Sequence, residues 1–195
     1  LLRGGLGWGA LYFCKSSNDL LDLQRLESGV DTVNLQPLEL YDWLPRILEP
    51  FEERARTRQQ TLSIEFADNL PVLMCDRAKL ERIVSELLTN ACKYTPPEGK
   101  IAVALRATTA AGFTDKVILT VSNTGIEISQ AQLTRIFEKF YRIPSSDYWM
   151  QGGTGLGLAL VQKLVEQLGG EIRVESRSME TAFTVSLPVG CEDFE

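Results

Sequence analysis

The sequence predicts an α/β sandwich: a mixed, mostly antiparallel sheet of about five strands with its helices gathered on one face. Three observations predict it. Behind Asp76, the residues Leu80, Ile83, Val84, Leu87, Leu88 and Ala91 recur at helical spacing and form one apolar stripe. Between 61 and 66, Leu62, Ile64 and Phe66 alternate with Ser63 and Glu65, the period of a half-buried strand. After Gly169-Gly170, runs at 171–176 and 182–187 read as two closing strands around a turn at 177–180. Helices with one apolar side and strands with one apolar row bury both by stacking in two layers.

The composition agrees with an ordinary folded chain. It has 195 residues, 44% of them hydrophobic, enough for one full domain core and a small appendage. The formal charge is −6, with 26 acidic against 20 basic residues, and the Lys and Arg are scattered, so no nucleic-acid footprint is expected. Cys14, Cys75, Cys92 and Cys191 form no C-x-x-C pair and are expected as buried small apolar residues, not as zinc ligands or a disulfide framework. The chain contains no histidine, which excludes histidine-based catalysis and histidine metal sites within it. Leu1 in place of Met agrees with a piece of a longer product.

Taken in order, residues 1–15 are apolar but rich in glycine, too short and broken to cross a bilayer as a helix, and receive no function. From Ser16 to Gly29 a helix is expected, with Leu20, Leu21, Leu23 and Leu26 as its apolar positions, Asp19, Asp22, Arg25 and Glu27 as its polar ones, and Gly29 as its stop. Residues 16–33 thus make a helix and linker, 34–189 one α/β domain, and 190–195 a tail. Leu38 to Arg58 shows helical spacing, its regularity limited by Pro45 and Pro50. Asn69-Leu-Pro71 turns the chain toward Asp76, the N-cap of the next helix, and Pro96-Pro97 ends that helix. Lys100 to Ala107 and Lys116 to Ser122 form a hairpin about a surface turn at 108–115. Ser129 to Phe137 reads as a short capped helix, 143–153 as a flap over a ligand, and the helix through Leu164, Val165 and Leu168 follows Gly153-Thr-Gly-Leu-Gly157.

The central helix carries more than a core face. Glu86, Asn90 and Lys93 share one arc, with Tyr94 at its edge, and all four border the apolar stripe. An acid, an amide and a cation therefore line one rim. By themselves these residues fit an amphipathic helix with a solvated edge equally well, and Asn-Thr-Gly and Gly-Thr-Gly-Leu-Gly fit a turn and a flexible loop. The glycine run matches neither the dinucleotide fingerprint nor the P-loop.

Glu86-x-x-x-Asn90-Ala91-x-Lys93-Tyr94-Thr95 resembles the asparagine box of sensor histidine kinases, within the wider gyrase-like (Bergerat) ATPase superfamily. Asn123-Thr-Gly125-Ile-Glu-Ile128 is similar to that family's first glycine box, Phe137-Glu-Lys-Phe140-Tyr-Arg to its phenylalanine box, and Gly153 to Gly157 to its second glycine box. Their order, across about residues 76–168, is more specific than any one of them.

The resemblance implies ATP and Mg²⁺ as ligands and transfer of the γ-phosphoryl group to a histidine, for relay to an aspartate of a response regulator receiver domain. Asn90 would hold Mg²⁺, which usually keeps several waters and takes one or two protein oxygens. Lys93 would neutralise phosphate charge, and Glu86, where related ATPases keep a water-activating acid, has a supporting role as an exposed carboxylate orienting Mg²⁺ waters. Tyr94, Asn123, Gly125, Ile128 and Phe140 would border the nucleotide, and the backbone of Gly153, Thr154, Gly155, Leu156 and Gly157 would face its phosphates. The flap at 143–153 becomes the ATP lid.

Leu-Leu-Asp-Leu-Gln-Arg-Leu-Glu-Ser-Gly, ending at Gly29, resembles the second helix of the family's dimerisation hairpin, implying a homodimer and a phosphoacceptor on a helix outside this chain. The domain would be cytoplasmic, attached to a membrane only through segments not present here. Two residues depart from the pattern: Asn123 stands where the family usually has aspartate, and Glu127 where it has a second glycine. They leave open a degenerate binding or signalling module without kinase activity. A related serine kinase or hydrolysing ATPase is the other alternative.

Overall fold

The structure is a computed structural model that describes residues 19–29, 31–110, 113–143 and 153–190. The segment 1–15, most of the flap, Cys14, Cys191 and the end of the tail lie outside the described residues. Among the described residues five helices and seven strands follow one another: α1 over residues 19–27, β1 Gln36–Leu38, α2 Leu40–Thr57, β2 Thr61–Phe66, β3 Leu73–Cys75, α3 Arg77–Tyr94, β4 Lys100–Ala110, β5 Phe113–Thr124, α4 Gln130–Leu133, α5 Gly157–Gln167, β6 Glu171–Arg177 and β7 Glu180–Pro188.

The main sheet has the order β2-β4-β5-β7-β6. Only β2 and β4 run parallel, and the other three pairings are antiparallel. The β2–β4 crossover contains α3, which is how the helix comes to lie across the sheet. One row of each central strand is buried: Ile101, Val103 and Leu105 on β4, Val117, Leu119 and Val121 on β5, and Phe183, Val185 and Leu187 on β7. These pack with the apolar faces of α2, α3 and α5 into a single core. The alternate row, including Ala104, Thr120 and Thr184, is half-buried.

Four expectations need correction. Residues 36–38 and 73–75, where no strand was expected, form β1 and β3, which pair antiparallel in a separate two-stranded sheet. Three residues are too few for alternation to show, and the pairing is set by packing and by Asp76. One carboxylate oxygen of Asp76 caps α3 by accepting from Ala78 and Lys79 N at 3.1 Å, and the other accepts from Asn34 N at 3.0 Å. The β4–β5 hairpin extends through most of the expected turn, to Ala110 and Phe113, with a register shift between Thr108 and Thr109. A cross-strand bond from Thr108 Oγ1 to Asp115 Oδ1 of 2.9 Å supports that extension.

The third correction concerns α1. Leu23 and Leu26 are buried, but Leu20 and Leu21 are 37% and 52% exposed, while Asp19 is only 3% exposed. The core-facing side of α1 is therefore rotated from the expected one, because Asp19 finds Arg82 on α3 as an ionic partner. The fourth is α2, an unbroken helix with Pro45 and Pro50 inside it. Its large buried anchors, Leu40, Trp43, Leu44 and Leu48, offset the backbone bonds that the two prolines cannot make.

Candidate functional site

The rim expected on α3 forms where the second half of that helix faces the approach to α5. Leu80, Ile83, Val84, Leu87, Leu88 and Ala91 are all buried, which fixes the rotation of α3 and aims the arc of Glu86, Asn90 and Lys93 along the edge of the core. A Cβ placed on Gly153 would lie 2.9 Å from Lys93 Nζ, and one placed on Gly157 would lie 2.8 Å from Glu86 Oε2. The glycine run therefore passes along the rim from Lys93 to Glu86, with half-buried Asn90 between them on the helix. The seven helical steps from Glu86 to Lys93 along α3 cover about 10 Å. Side chains at either glycine would occupy the space between run and rim.

Glu86 is 5% exposed, which corrects its reading as an exposed carboxylate. Its Oε1 lies 3.4 Å from Arg82 Nη2, and the same nitrogen donates to Asp19 Oδ1 on α1. Lys93 Nζ donates to Tyr94 Oη at 3.1 Å and sits 4.7 Å from the Tyr94 ring centre, a cation held over an aromatic face. Burial pushes the Tyr94 phenol up from its ordinary value, against the opposing charge of Arg142.

The start of α5 presents backbone donors. Leu160 N to Leu156 O is the first bond of the helical ladder, at 2.9 Å, so the amides of 157–159 precede it. Buried Leu156 anchors this end, and its own N donates to Thr154 Oγ1 at 3.3 Å. Gly155 has φ +72, and a Cβ there would fall 2.7 Å from the carbonyl carbon of Phe140. Its carbonyl accepts from Phe140 N at 2.9 Å. The phenylalanine box thus meets the glycine run through backbone, whereas the Phe140 side chain itself is 61% exposed.

At the other end, Asn123 is 7% exposed, next to last in β5, opposite Ile101 and Thr181. Gly125 follows with φ +113 against Pro96, where a Cβ would come within 2.2 Å of the ring. That contact joins the first glycine box to the end of α3. Glu127 is exposed, is absent from the residues with positive φ, and accepts from Met179 N at 3.2 Å, so the departure from glycine is accommodated without left-handed backbone.

Sequence reasoning missed two hydroxyls beneath this loop. Ser176 Oγ accepts from Ile128 N at 2.8 Å and bonds Thr181 Oγ1 at 2.8 Å, and Thr181 Oγ1 also donates to the carbonyl of Ile126 at 3.1 Å. They pin residues 126–128. The signal was present in the pattern, since Thr181 stands in phase with the buried row Phe183, Val185 and Leu187. Among the described residues no cluster of three or more acidic, cysteine or histidine side chains is placed to hold a metal. A cation here would draw its ligands from an amide oxygen, water and phosphate.

Comparison with known proteins gives a consistent picture. Residues 75–190 match the family described as histidine kinase-, DNA gyrase B- and HSP90-like ATPase. The circadian input-output histidine kinase CikA of Synechococcus elongatus is 36% identical over 174 residues, covering 88% of this chain and 22% of that protein. The present chain thus spans less than a quarter of that relative's length. A crystal structure of full-length ShkA in complex with AMPPNP matches with a TM-score of 0.80 and 25% identity, over 92% of this chain and 36% of the other. The histidine kinase ThkA, in a crystal structure with the response regulator protein TrrA, shares the fold at a TM-score of 0.67 and 22% identity, over 96% of this chain and 53% of that one.

Proposed function

Because the chain belongs to the histidine kinase-, DNA gyrase B- and HSP90-like ATPase family, as the ATP-binding catalytic domain of a sensor histidine kinase, we propose that its rim and glycine run hold Mg²⁺-ATP for phosphoryl transfer to a histidine outside these residues. The observation that carries this assignment is the convergence of Gly153 on Lys93 and of Gly157 on Glu86. Bare backbone next to an ammonium on one side and a carboxylate on the other is a cradle that fits a polyphosphate and its cation, and that any Cβ would narrow.

On this reading each group has a distinct task. The amides at 157–159 donate to phosphate oxygens from the positive end of α5. Lys93, steadied by Tyr94, neutralises phosphate charge, and the carbonyl oxygen of Asn90 offers the protein ligand to Mg²⁺. When bound, Mg²⁺ supplies charge neutralisation across the terminal phosphates. Glu86, buried beside Gly157, orients waters of the cation sphere. Asn123 accepts from the adenine amino group through its carbonyl oxygen, and Gly125, Ile128 and the 140–143 segment border the base and ribose.

The reaction asks for alignment more than covalent help. A histidine nitrogen of the acceptor attacks the γ-phosphorus, the bond to the bridging oxygen breaks, and ADP leaves with that oxygen. The phosphoryl group then passes to an aspartate of a receiver domain. With no histidine among the 195 residues, the acceptor is outside them. The exposed Leu20 and Leu21 on α1 support a homodimer through a helical hairpin to which residues 16–33 belong, with 34–189 as the catalytic unit. The domain acts in the cytoplasm on this reading. No described helix is long and apolar enough to cross a membrane.

Titration of fluorescently labelled ATP into the chain, with Mg²⁺ and with EDTA, tests the assignment. Saturable binding that tightens with Mg²⁺ is expected. Absence of binding, or equal affinity in both conditions, overturns it.

A further inference from the structure

Arg82 lies one turn before Glu86 on α3, on the flank that meets α1, and its side chain is 35% exposed between two carboxylates that are almost wholly buried. One nitrogen, Nη2, serves both. It donates a hydrogen bond to Asp19 Oδ1 and approaches Glu86 Oε1 at 3.4 Å, an ion pair without hydrogen-bond geometry. Meanwhile the second oxygen of Glu86 is the atom that a Cβ on Gly157 would meet at 2.8 Å. Glu86 is thus held at one oxygen by a guanidinium and turned with the other toward the start of α5.

We infer that Arg82 is a positioning residue for Glu86, and that Asp19 on α1 sets how far Arg82 draws the Glu86 carboxylate away from the nucleotide's metal end. A guanidinium presents several donors in a rigid fork and prefers a two-bond match to one carboxylate. With α1 docked, Asp19 takes the hydrogen bond from Nη2 and Glu86 keeps only the longer ion pair, so its charge remains directed at the glycine run. Without the Asp19 carboxylate, Arg82 turns its fork to Glu86, which lies within reach at i, i+4. Glu86 Oε2 then leaves the start of α5.

The docking of α1 is thereby transmitted to the phosphate end of the site through three side chains. A second ion pair, from Lys139 Nζ to Glu27 at 2.5 Å, holds the far end of α1 to the segment preceding the flap, so the helix is fixed at both ends. The inference rests on the proposed role of Glu86 toward Mg²⁺-bound waters.

The measured quantity is the Mg²⁺ enhancement of the 195-residue chain: the ratio of ATP dissociation constants in EDTA and in Mg²⁺. Glu86→Gln is expected to lower it by about three- to tenfold, and Asp19→Asn to lower it in the same direction by a comparable factor. In the double variant Asp19→Asn/Arg82→Gln the guanidinium no longer draws on Glu86, and the enhancement rises above that of Asp19→Asn. A merely structural role for Asp19 produces no such recovery, because removing Arg82 as well loosens α1 further. Melting temperatures measured alongside register that loosening separately. The inference is overturned if Glu86→Gln lowers the enhancement but Asp19→Asn does not, or if the double variant stays as low as Asp19→Asn. If Glu86→Gln itself leaves the enhancement unchanged, the role of Glu86 toward the cation falls, and the relay with it.

Discussion

Replacing Gly155 by alanine tests the geometry of the phosphate end most directly. Its φ of +72 lies in the left-handed region, and a Cβ there would stand 2.7 Å from the carbonyl carbon and 2.8 Å from the Cα of Phe140, and 2.9 Å from the carbonyl oxygen of Tyr141. These are backbone atoms, so no side-chain rotation relieves the contact. The 140–141 segment must retreat by roughly 0.7 Å to regain an ordinary contact distance. Left-handed backbone costs a non-glycine residue about 1–2 kcal/mol. Distorting the 2.9 Å bond from Phe140 N to Gly155 O adds about 1 kcal/mol. The expected destabilisation is therefore about 2–3 kcal/mol, equivalent to roughly a 1 M fall in the urea midpoint at a typical slope for small domains. Because the distortion sits where the glycine run leaves the flap, ATP affinity should fall about tenfold or more even in the folded fraction. Urea unfolding followed by tryptophan fluorescence, with equilibrium ATP binding on the same protein, measures both. A midpoint within a few tenths of a molar of the parent and an unchanged affinity would refute the assignment of that backbone to the phosphates.

Three further outcomes are expected. Asn90→Ala should abolish the Mg²⁺-dependent part of ATP binding and leave the Mg²⁺-independent part, in a titration with and without EDTA; retention of the full Mg²⁺ effect contradicts the ligand role. Asn123→Asp should hold ATP as tightly as the parent or up to about tenfold tighter, since a charged acceptor makes the stronger hydrogen bond. It should also cost about 1–3 kcal/mol in urea stability because the position is 7% exposed, and a loss of ATP affinity argues against contact with the adenine amine. Burial, with the neighbouring Asp76 charge, pushes the Cys75 thiol from 9.0 up to about 12. The folded state keeps this proton while the unfolded chain releases it, so the contribution is fully present below pH 9 and is lost as pH rises through about 12. Urea stability should decline across that window, less steeply in Cys75→Ala, and a parallel decline in both proteins would show that other groups dominate.

The local pattern alone was enough for the elements whose stability is local. The apolar stripe from Leu80 to Ala91, the Asp76 cap, the alternation of β2 and the closing pair β6–β7 all follow from residue spacing, because helical and strand periods are written into neighbouring positions. The rim of Glu86, Asn90 and Lys93 was readable for the same reason: three residues on one helix face share it wherever the helix goes. Turn chemistry, by contrast, was overread at 108–110 and 113–115, which were expected in a surface turn and in which the ladder continues as far as Ala110 and Phe113.

Folding in three dimensions decided what depends on residues far apart in the chain. The β1–β3 pair joins three residues to three others across more than thirty positions, with nothing periodic to announce it. Glu86 looked exposed because a lone carboxylate on a helix edge usually is; it is buried because Gly157 closes over it and because Arg82, shared with Asp19 sixty-three residues before, supplies the compensating charge. Whether Gly153 to Gly157 was a slack loop or a cradle could not be read from five residues, since glycine permits both. What stands opposite each missing side chain, Lys93, the Phe140 backbone and Glu86, supports the proposed cradle. Spacing along a helix specifies which groups travel together, and only long-range packing brings them to a second element where they can act on the same ligand.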